Sequence, residues 1–296
     1  MQKKLLLIAN PFSGTGKIKP NLFKIVEIFS NADYSVTVYP TKARADATAK
    51  VESLYDGEYD TIVVSGGDGT LNEVITGIMN KKLNCKIGYI PAGTLNEWSS
   101  GLGISRDIIK AAKDITTGKG ISLDIGKFGD KYFSYTASFG AFTAASYSTP
   151  QGVKNVLGQA AYFFEGVKSI GSIKSIPLKL TADGNEIEGK FLFGAISNSM
   201  SVGGVVKFND NLVKLNDGLF EIILIRKPSN LLQLQNIING ILKKDFDREN
   251  IEFIHAKEIT IESDAEISWT LDGEYAKGKE KIEISNINNA INFIVP

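Results

Sequence analysis

The sequence is poor in the residues from which many catalytic and metal sites are built. Its 296 residues include one cysteine, Cys85, and one histidine, His255. A single cysteine excludes an intramolecular disulfide, and a lone histidine argues against a zinc site or a histidine-based catalytic site. Both residues are therefore interpreted as structural, and a reducing, cytoplasmic compartment is expected.

The sequence also lacks an excess of charge of either sign. Its 33 lysines and arginines balance 33 aspartates and glutamates, so the formal net charge is zero. Proteins that bind nucleic acid usually need a basic excess for long-range attraction to phosphate. The composition therefore argues against a nucleic-acid partner.

Long apolar runs are missing as well. No segment approaches the roughly 20 apolar residues that a membrane-spanning helix needs, so any contact with a membrane is expected to be peripheral. The apolar run at residues 5–9 is too short for a signal peptide, and Asn10 and Pro11 follow it directly. It predicts a buried parallel strand instead.

Apolar residues are nevertheless frequent enough, at 43%, to form a sizeable core. In the first 120 residues they alternate between strand and helix patterns, which is typical of βαβ units. This pattern predicts a Rossmann-like, three-layer α/β domain over residues 1–120, with helices on both faces of a parallel sheet. The predicted strands are residues 4–9, 34–39, 61–65 and 86–90, and the predicted helices are residues 22–30, 43–54 and 71–79.

The pattern changes near residue 121, where apolar and polar residues begin to alternate. Such period-two stretches predict a mostly antiparallel β domain over residues 121–287, with helices at residues 153–169 and 231–243. The final segment, residues 288–296, could return to the first domain. The predicted strands are residues 123–128, 132–138, 178–182, 191–197, 220–225, 259–263, 282–284 and 290–295.

The strongest motif is Ser65-Gly-Gly-Asp-Gly-Thr-Leu-Asn-Glu73, which joins a predicted strand to a predicted helix. The carboxyl end of a parallel strand is the usual place for a ligand in an α/β sheet. Glycines let backbone N–H groups approach phosphate oxygens, and the start of the helix adds positive potential. Asp68 suits a phosphate site only if a divalent cation such as Mg²⁺ lies nearby. The alternative is a tight turn in which Thr70 caps the helix.

Two further glycine-containing loops also follow predicted strands. Asn10-Pro-Phe-Ser-Gly-Thr-Gly-Lys17 is not a Walker A loop, because its glycine–lysine spacing differs and no Ser or Thr follows Lys17. Phosphate contact by Ser13 or Lys17 and a plain capping loop are equally compatible with it. The third loop is Pro91-Ala-Gly-Thr-Leu-Asn-Glu97. The three loops are expected to converge at one edge of the sheet.

In this order and spacing, the loops resemble those of the diacylglycerol kinase catalytic-domain family of lipid kinases, which includes soluble bacterial diacylglycerol kinases and their YegS-like and BmrU-like relatives. Asp124, in Ser122-Leu-Asp-Ile-Gly126, falls where the family carries an acidic residue. Lys214-Leu-Asn-Asp-Gly-Leu219 is similar to its structural magnesium segment, and Leu271-Asp-Gly-Glu274 to its C-terminal catalytic motif. The resemblance implies a C-terminal antiparallel β-sandwich and an active site in the cleft between the two domains.

The resemblance also implies an activity and a set of site residues. ATP and Mg²⁺ would be used to phosphorylate a lipid hydroxyl, with diacylglycerol as the favoured acceptor and phosphatidic acid as the product. Glu274 would be the general base, and Asp68 would act with Glu97 and Asp124 in the catalytic magnesium network. Lys214, Asp217 and Leu219 would hold a structural Mg²⁺. The residues that would face the nucleotide are Asn10, Ser13, Thr41, Gly66, Gly67, Gly69, Thr70, Asn72, Thr94 and Asn96.

The third loop departs from the family pattern. It carries Asn96-Glu97, followed by Trp98, where the family usually has Asn-Asp. Glutamate places its carboxylate one methylene further out than aspartate, and magnesium is strict about the geometry of its ligands. The departure therefore bears on the predicted acceptor and turnover more than on the predicted nucleotide binding. An NAD kinase, which shares the Gly-Gly-Asp-Gly-Thr loop, and a non-catalytic nucleotide-binding regulator are the alternatives.

Three local features allow a second interpretation when the residues are considered without the family resemblance. Asp272-Gly-Glu274 has even odds of being an ordinary hairpin turn, and Asn216-Asp-Gly218 is more often a turn than a metal site. A peripheral contact with the inner face of the membrane is expected for a lipid kinase, and a homodimer is also compatible with the resemblance. The lysines suited to an anionic bilayer, or to a solvated amphipathic helix, are Lys154, Lys168, Lys174 and Lys179.

Overall fold

The computed structural model describes residues 2–14, 16–94, 96–141, 174–202, 206–208 and 213–296. The chain forms two compact units: an N-terminal unit of Met1–Asp124 with Asn289–Pro296, and a C-terminal unit of Ile125–Asn288. The helix predicted at residues 153–169, together with Lys154 and Lys168, lies outside the described residues. Within the described ranges, no helix is long and apolar enough to cross a membrane.

The N-terminal unit contains a parallel sheet. Strand β1 pairs with β2 on one side and β3 on the other, and β3 pairs with β4. The end of the last strand of the chain, β17, adds a fifth parallel strand beside β4. The elements in chain order are β1 (Lys3–Ala9), α1 (Ile18–Asn31), β2 (Tyr34–Pro40), α2 (Asp46–Glu52), β3 (Thr61–Gly66), α3 (Asp68–Lys81), β4 (Lys86–Pro91), α4 (Glu97–Gly101), α5 (Ile108–Thr117) and the start of β5 (Lys119–Phe128).

Helices cover both faces of this sheet, as predicted. The chain moves from β1 outward to β2, and then crosses back to β3 and β4 on the other side of β1. Right-handed connections therefore place α1 on one face and α2 and α3 on the opposite face. The packing agrees, since α1 contacts α5 and α2 contacts α3. The fully buried run Leu5–Ile8 in β1 is apolar at every position because both of its faces are covered.

The helices of this unit differ from the sequence prediction at several points. Helix α1 begins at Ile18 rather than at residue 22, and α4 was not predicted. Helix α2 begins at Asp46 rather than at residue 43, because Ala45 has a left-handed backbone with φ of 64°. Helix α5 was not predicted, although Asp107 caps it by accepting a hydrogen bond from the Lys110 N–H at 2.7 Å. Its buried positions are Ile108, Ala111, Ala112 and Ile115, which have regular helical spacing, so the sequence carried the signal for this helix.

The C-terminal unit is built from antiparallel strands, as predicted. Strand β9 pairs antiparallel with β7, β8 and β12, and β12 pairs in turn with β13. The elements are the end of β5, β6 (Lys131–Phe133), β7 (Thr136–Gly140), β8 (Ile176–Ala182), β9 (Asn185–Ser197), β10 (Ser201–Val202), β11 (Val206–Lys207), β12 (Phe220–Arg226), α6 (Leu231–Lys243), β13 (Ile251–Ala256), β14 (Glu258–Glu262), β15 (Ser268–Leu271), β16 (Glu274–Lys277) and most of β17 (Lys281–Val295).

Alternation along β12 divides the core of this unit into two apolar clusters. Phe220, Ile222 and Leu224 belong to one cluster. Ile223 and Ile225 belong to the other, which α6 covers with its own apolar face. Because both faces of β12 are buried, the strand is apolar at nearly every position. The bounds of α6 match the prediction of a helix at residues 231–243.

Two strand predictions in this unit need correction. The stretch predicted as one strand at residues 132–138 forms two, β6 and β7, with Ser134 and Tyr135 between them. Residues 282–284 and 290–295 form a single strand, β17, that runs from the C-terminal unit into the N-terminal unit.

Candidate active site

The three predicted loops converge at the carboxyl ends of β1, β3 and β4. Strands β1 and β3 lie at the point where the sheet order reverses, which is where open α/β sheets bind ligands. The Asn10 N–H donates to the Ser65 carbonyl oxygen at 2.8 Å, and the Asn10 side chain donates to Thr70 Oγ1 at 3.1 Å. The Ala92 N–H donates to the Gly66 carbonyl oxygen at 2.8 Å. The three loops therefore form one continuous surface.

Glycine is required where these loops touch. A Cβ atom added to Gly93 would lie 2.6 Å from the Gly67 Cα atom, and one added to Gly14 would lie 2.3 Å from the Ala92 carbonyl oxygen. Gly67 also faces the side chain of Ser13, which is buried. The glycines thus have a packing role in addition to any approach to phosphate.

Helix α3 begins earlier than predicted, at Asp68, with Gly67 as its N-cap residue. The alternative in which Thr70 is the N-cap is therefore wrong. Asp68, Gly69 and Thr70 lie in the first turn, where backbone N–H groups have no partner within the helix. Asn72 lies one turn beyond Asp68 on the same side of α3. This start of a helix, open at the exposed Gly69, has the electrostatic character of an anion site.

The Asp68 carboxylate is held against the third loop. Its Oδ2 atom accepts a hydrogen bond from the Glu97 N–H at 3.1 Å. Its Oδ1 atom is buried and has no hydrogen-bond partner among the described residues. Burial raises the pKa of the Asp68 carboxyl, and backbone N–H groups of residues 96–98 oppose that rise. A buried anionic oxygen without a donor is suited to a cation, so the site fits Mg²⁺.

The three carboxylates of the predicted magnesium network do not form one cluster among the described residues. Within the part of the chain that the structure describes, no three His, Cys, Asp or Glu side chains form a group that could hold a metal ion. Asp124 is fully buried, and its Oδ1 accepts from the Asn289 N–H at 2.7 Å. Magnesium in kinases is usually held by one or two carboxylates together with phosphates and water. Asp68 fits that pattern, whereas the metal roles of Glu97 and Asp124 stay predictions.

Asn96 shapes the third loop from inside. It is 4% exposed and left-handed, with φ of 50°. Its Oδ1 accepts from the Gly93 N–H at 2.9 Å, and its Nδ2 donates to the Gly93 carbonyl oxygen at 2.8 Å. The hydroxyl of the buried Tyr89 lies 3.1 Å from the same Oδ1 and 3.2 Å from the Gly66 carbonyl oxygen. Tyr89 thus links two loops, a role that the sequence prediction missed.

The other two predicted nucleotide residues lie at the same edge of the sheet. Thr41 is buried directly after β2, and its N–H donates to the Ala9 carbonyl oxygen at 2.9 Å. Thr94 is exposed directly after Gly93. All the predicted nucleotide-binding residues therefore belong to the N-terminal unit, where they lie at the end of β3 or in the loops and the helix that follow the strands.

Glu73, the last residue of the Gly-Gly-Asp-Gly-Thr motif segment, has a role that sequence reasoning missed. Its Oε1 accepts from the Ala45 N–H at 2.8 Å, and its Oε2 from the Ala47 N–H at 3.2 Å. The Thr48 hydroxyl donates to the Glu73 carbonyl oxygen at 2.9 Å. Ala45 has no side chain that can cap α2, so a carboxylate from α3 satisfies these N–H groups instead.

Replacing Glu73 with alanine is expected to lower the free energy of unfolding by about 1–2 kcal/mol, because two N–H groups lose their acceptor. Urea denaturation followed by circular dichroism measures this loss. Glu27, an exposed glutamate on α1, provides the control, and Glu27→Ala is expected to change stability by less than about 0.5 kcal/mol. Equal stabilities for the two variants would contradict the capping role.

In the C-terminal unit, the Asp-Gly-Glu motif forms a two-residue hairpin turn between β15 and β16. Asp272 and Gly273 have φ of 49° and 84°, as in a type I′ turn, and Glu274 pairs with Leu271 as the first residue of β16. The hairpin interpretation is therefore confirmed. It does not exclude a catalytic role, because Glu274 is exposed.

The predicted structural magnesium segment also forms a turn. Asp217 Oδ1 accepts from the Leu219 N–H at 3.0 Å, and Gly218 has φ of 81°. The Asn288 side chain donates to the Asn216 carbonyl oxygen at 3.3 Å. Lys214 is exposed and Leu219 is half-buried. Metal binding by Lys214, Asp217 and Leu219 stays a prediction.

The single cysteine and histidine occupy structural positions. Burial raises the pKa of the Cys85 thiol to about 12, with a further contribution from the charge of Asp56, so the reactive thiolate is disfavoured. His255 lies in β13, as predicted, with its ring edge against Phe253 at a centroid distance of 5.2 Å.

Comparison with known proteins identifies the family. A diacylglycerol kinase from Staphylococcus aureus (strain MRSA252) is 33% identical over 297 residues, spanning 100% of this chain and 93% of that one. The chain belongs to the diacylglycerol kinase family. A family model described as the diacylglycerol kinase catalytic domain matches residues 4–128, and one described as the YegS C-terminal NAD kinase beta sandwich-like domain matches residues 137–294.

Solved structures agree with this membership. A crystal structure of a diacylglycerol kinase from Bacillus anthracis str. Sterne superimposes with a TM-score of 0.77 at 25% identity, covering 100% of this chain and 97% of that one. The two-part architecture of an α/β domain followed by a β-sandwich is therefore confirmed. The chain is a diacylglycerol kinase-like lipid kinase.

Proposed function

We propose that the chain transfers the γ-phosphoryl group of ATP to the free hydroxyl of diacylglycerol and so produces phosphatidic acid. The acceptor oxygen forms a new bond to the γ-phosphorus as the bond to the β,γ-bridging oxygen breaks, and ADP leaves. The observation that carries the nucleotide part of the proposal is the buried, unpartnered Oδ1 of Asp68 at the open start of α3.

The N-terminal unit supplies the phosphate-binding groups. Backbone N–H groups of Gly66, Gly67 and Gly69 and the first turn of α3 are suited to phosphate oxygens. Asp68 would hold Mg²⁺, which neutralises the charge of the β- and γ-phosphates when it is bound. Asn10 and Ser13 line the adjoining loop. Phosphoryl transfer asks mainly for such positioning and charge neutralisation.

The C-terminal unit supplies the group that accepts a proton. Glutamate side chains carry a negative charge near neutral pH, and Glu274 is exposed at the start of β16, directly after the hairpin turn. In the proposal it accepts the proton of the acceptor hydroxyl. The acceptor is a membrane lipid, so the proposal includes a peripheral contact with the membrane that contains it.

The test is a phosphorylation assay with purified protein, radiolabelled ATP and Mg²⁺. Diacylglycerol, ceramide, undecaprenol and phosphatidylglycerol are presented separately in mixed micelles, and NAD is presented in solution. Label in phosphatidic acid is the expected result. Label in NAD alone would favour the NAD kinase alternative, and ATP binding by calorimetry without turnover on any acceptor would favour a regulator.

A further inference from the structure

The turn that carries Glu274 is fixed by the carboxylate of the residue two positions before it. Asp272 is 7% exposed. Its Oδ2 accepts from the Ser134 N–H at 2.5 Å, and its Oδ1 accepts from the N–H groups of Tyr135 and Thr136, both at 3.0 Å. The Asp272 N–H also donates to the Thr136 carbonyl oxygen at 2.9 Å. Four hydrogen bonds thus tie this turn to Ser134, Tyr135 and Thr136, where β6 ends and β7 begins.

These bonds explain why β6 and β7 are separate strands. The N–H groups of Ser134, Tyr135 and Thr136 point toward one carboxylate, so three consecutive donors cannot alternate between neighbouring strands as a β ladder requires. A buried carboxylate that accepts several backbone N–H groups is bound in a well-defined position. The bonds therefore fix the backbone immediately before Glu274.

A second Asp-Gly turn in the same unit has a closely similar geometry. Asp183 and Gly184 join β8 to β9 with φ of 46° and 87°. The Asp183 carboxylate accepts from the N–H groups of Lys257 and Glu258 at 3.0 and 2.8 Å. Asp183 is exposed, and no residue of the proposed site follows it. The Asp183 turn therefore shows the structural effect of such an Asp-Gly turn where no proposed catalytic residue follows it.

We propose that Asp272 is a positioning residue for the phosphoryl transfer, acting through Glu274. This inference rests on the proposed function. Glu274 is exposed and is the first residue of β16, directly after the turn, so the position of its backbone follows from the position of the turn. A general base must lie within hydrogen-bond reach of the proton that it accepts, and a displacement of about 1 Å can cost about 100-fold in rate.

The test compares Asp272→Asn with Asp183→Asn. Asn-Gly is itself a favoured type I′ turn, so both variants keep the turn preference. In Asp272→Asn, an amide nitrogen replaces an acceptor oxygen and at least one of the three N–H groups loses its partner. The expected result is a fall in kcat of about 10- to 100-fold, with the KM for ATP within about twofold of wild type. Asp183→Asn is expected to keep kcat within about twofold.

A double variant separates positioning from general damage to the fold. If Asp272 acts through Glu274, adding Asp272→Asn to Glu274→Gln should change kcat by less than about twofold, because the group being positioned is already lost. Multiplying effects in the double variant, or an equal loss in Asp183→Asn, would overturn the inference. Should Asp272→Asn not fold, Asp272→Gly keeps a permitted turn and enters the same comparison.

A Glu274→Gln variant assayed in parallel distinguishes a failure of the base assignment from a failure of the positioning role of Asp272. Full turnover by Glu274→Gln would mean that the base assignment in the proposed function is wrong. An impaired Glu274→Gln beside an Asp272→Asn that behaves like Asp183→Asn would leave the proposed function intact and remove only the positioning role of Asp272.

Discussion

Glu274→Gln is expected to lower kcat by about 10²- to 10⁴-fold, the usual contribution of general acid–base catalysis. Glutamine keeps the size of the side chain and its place at the start of β16 but cannot accept the proton of the acceptor hydroxyl. Because Glu274 belongs to the C-terminal unit and the proposed nucleotide residues to the N-terminal unit, the KM for ATP should stay within about twofold. Steady-state assays with micellar diacylglycerol and varied ATP measure both constants.

Glu266→Gln is the matched control for this variant. Glu266 is also an exposed glutamate of the C-terminal unit, and it pairs with Lys277 at 3.1 Å. Exposed ion pairs contribute little, so the loss of this one should leave kcat within about twofold and stability nearly unchanged. Turnover of Glu274→Gln at the level of Glu266→Gln would remove Glu274 from the mechanism.

Asp68→Asn is expected to lower kcat by about 10²- to 10³-fold, the typical effect of removing one electrostatic contact to the transition state. The same variant should melt at a higher temperature than wild type when no Mg²⁺ is present. Burial raises the pKa of the Asp68 carboxyl, so the charged form is disfavoured in the folded state relative to the unfolded state. That penalty acts at pH values above the unfolded pKa, and a neutral asparagine removes it.

Thermal denaturation at about pH 7.5, first with EDTA and then with Mg²⁺ and ATP, tests the predicted rise in the melting temperature of Asp68→Asn. Wild type should gain more thermal stability from Mg²⁺ and ATP than Asp68→Asn does. Asp114→Asn, which removes a half-buried carboxylate paired with Lys110, is the control and should not raise the melting temperature. A less stable Asp68→Asn in EDTA would contradict the penalty inferred from burial.

Much of the fold could be predicted because its signals are local. The apolar run of β1 marks a strand covered on both faces, and the spacing of Leu234, Ile237 and Ile241 marks α6. The Asp272-Gly273 pair indicated a hairpin turn before the strands around it were known. Helix α5 was not predicted, although it also has a local signal: its buried residues have helical spacing and Asp107 caps its start.

The candidate site could be predicted only in part. Glycines after successive parallel strands place three loops at one edge of a sheet, so their convergence followed from the sequence. The functions of individual polar side chains did not follow in the same way. Asn96 was predicted as a nucleotide contact, yet its side chain bonds to Gly93 of its own loop. Tyr89, whose hydroxyl links two of the loops, belongs to no recognisable sequence motif.

The sequence by itself determined the types and order of the elements, the glycine loops and the carboxylates available for chemistry, because periodicity and turn preferences act over a few residues. Only the tertiary structure decided what each carboxylate contacts. Asp272 accepts hydrogen bonds from residues 136 to 138 positions earlier in the chain, and Asp124 accepts one from a residue 165 positions later. A carboxylate accepts any N–H group that folding brings within reach, so local sequence cannot specify its partner.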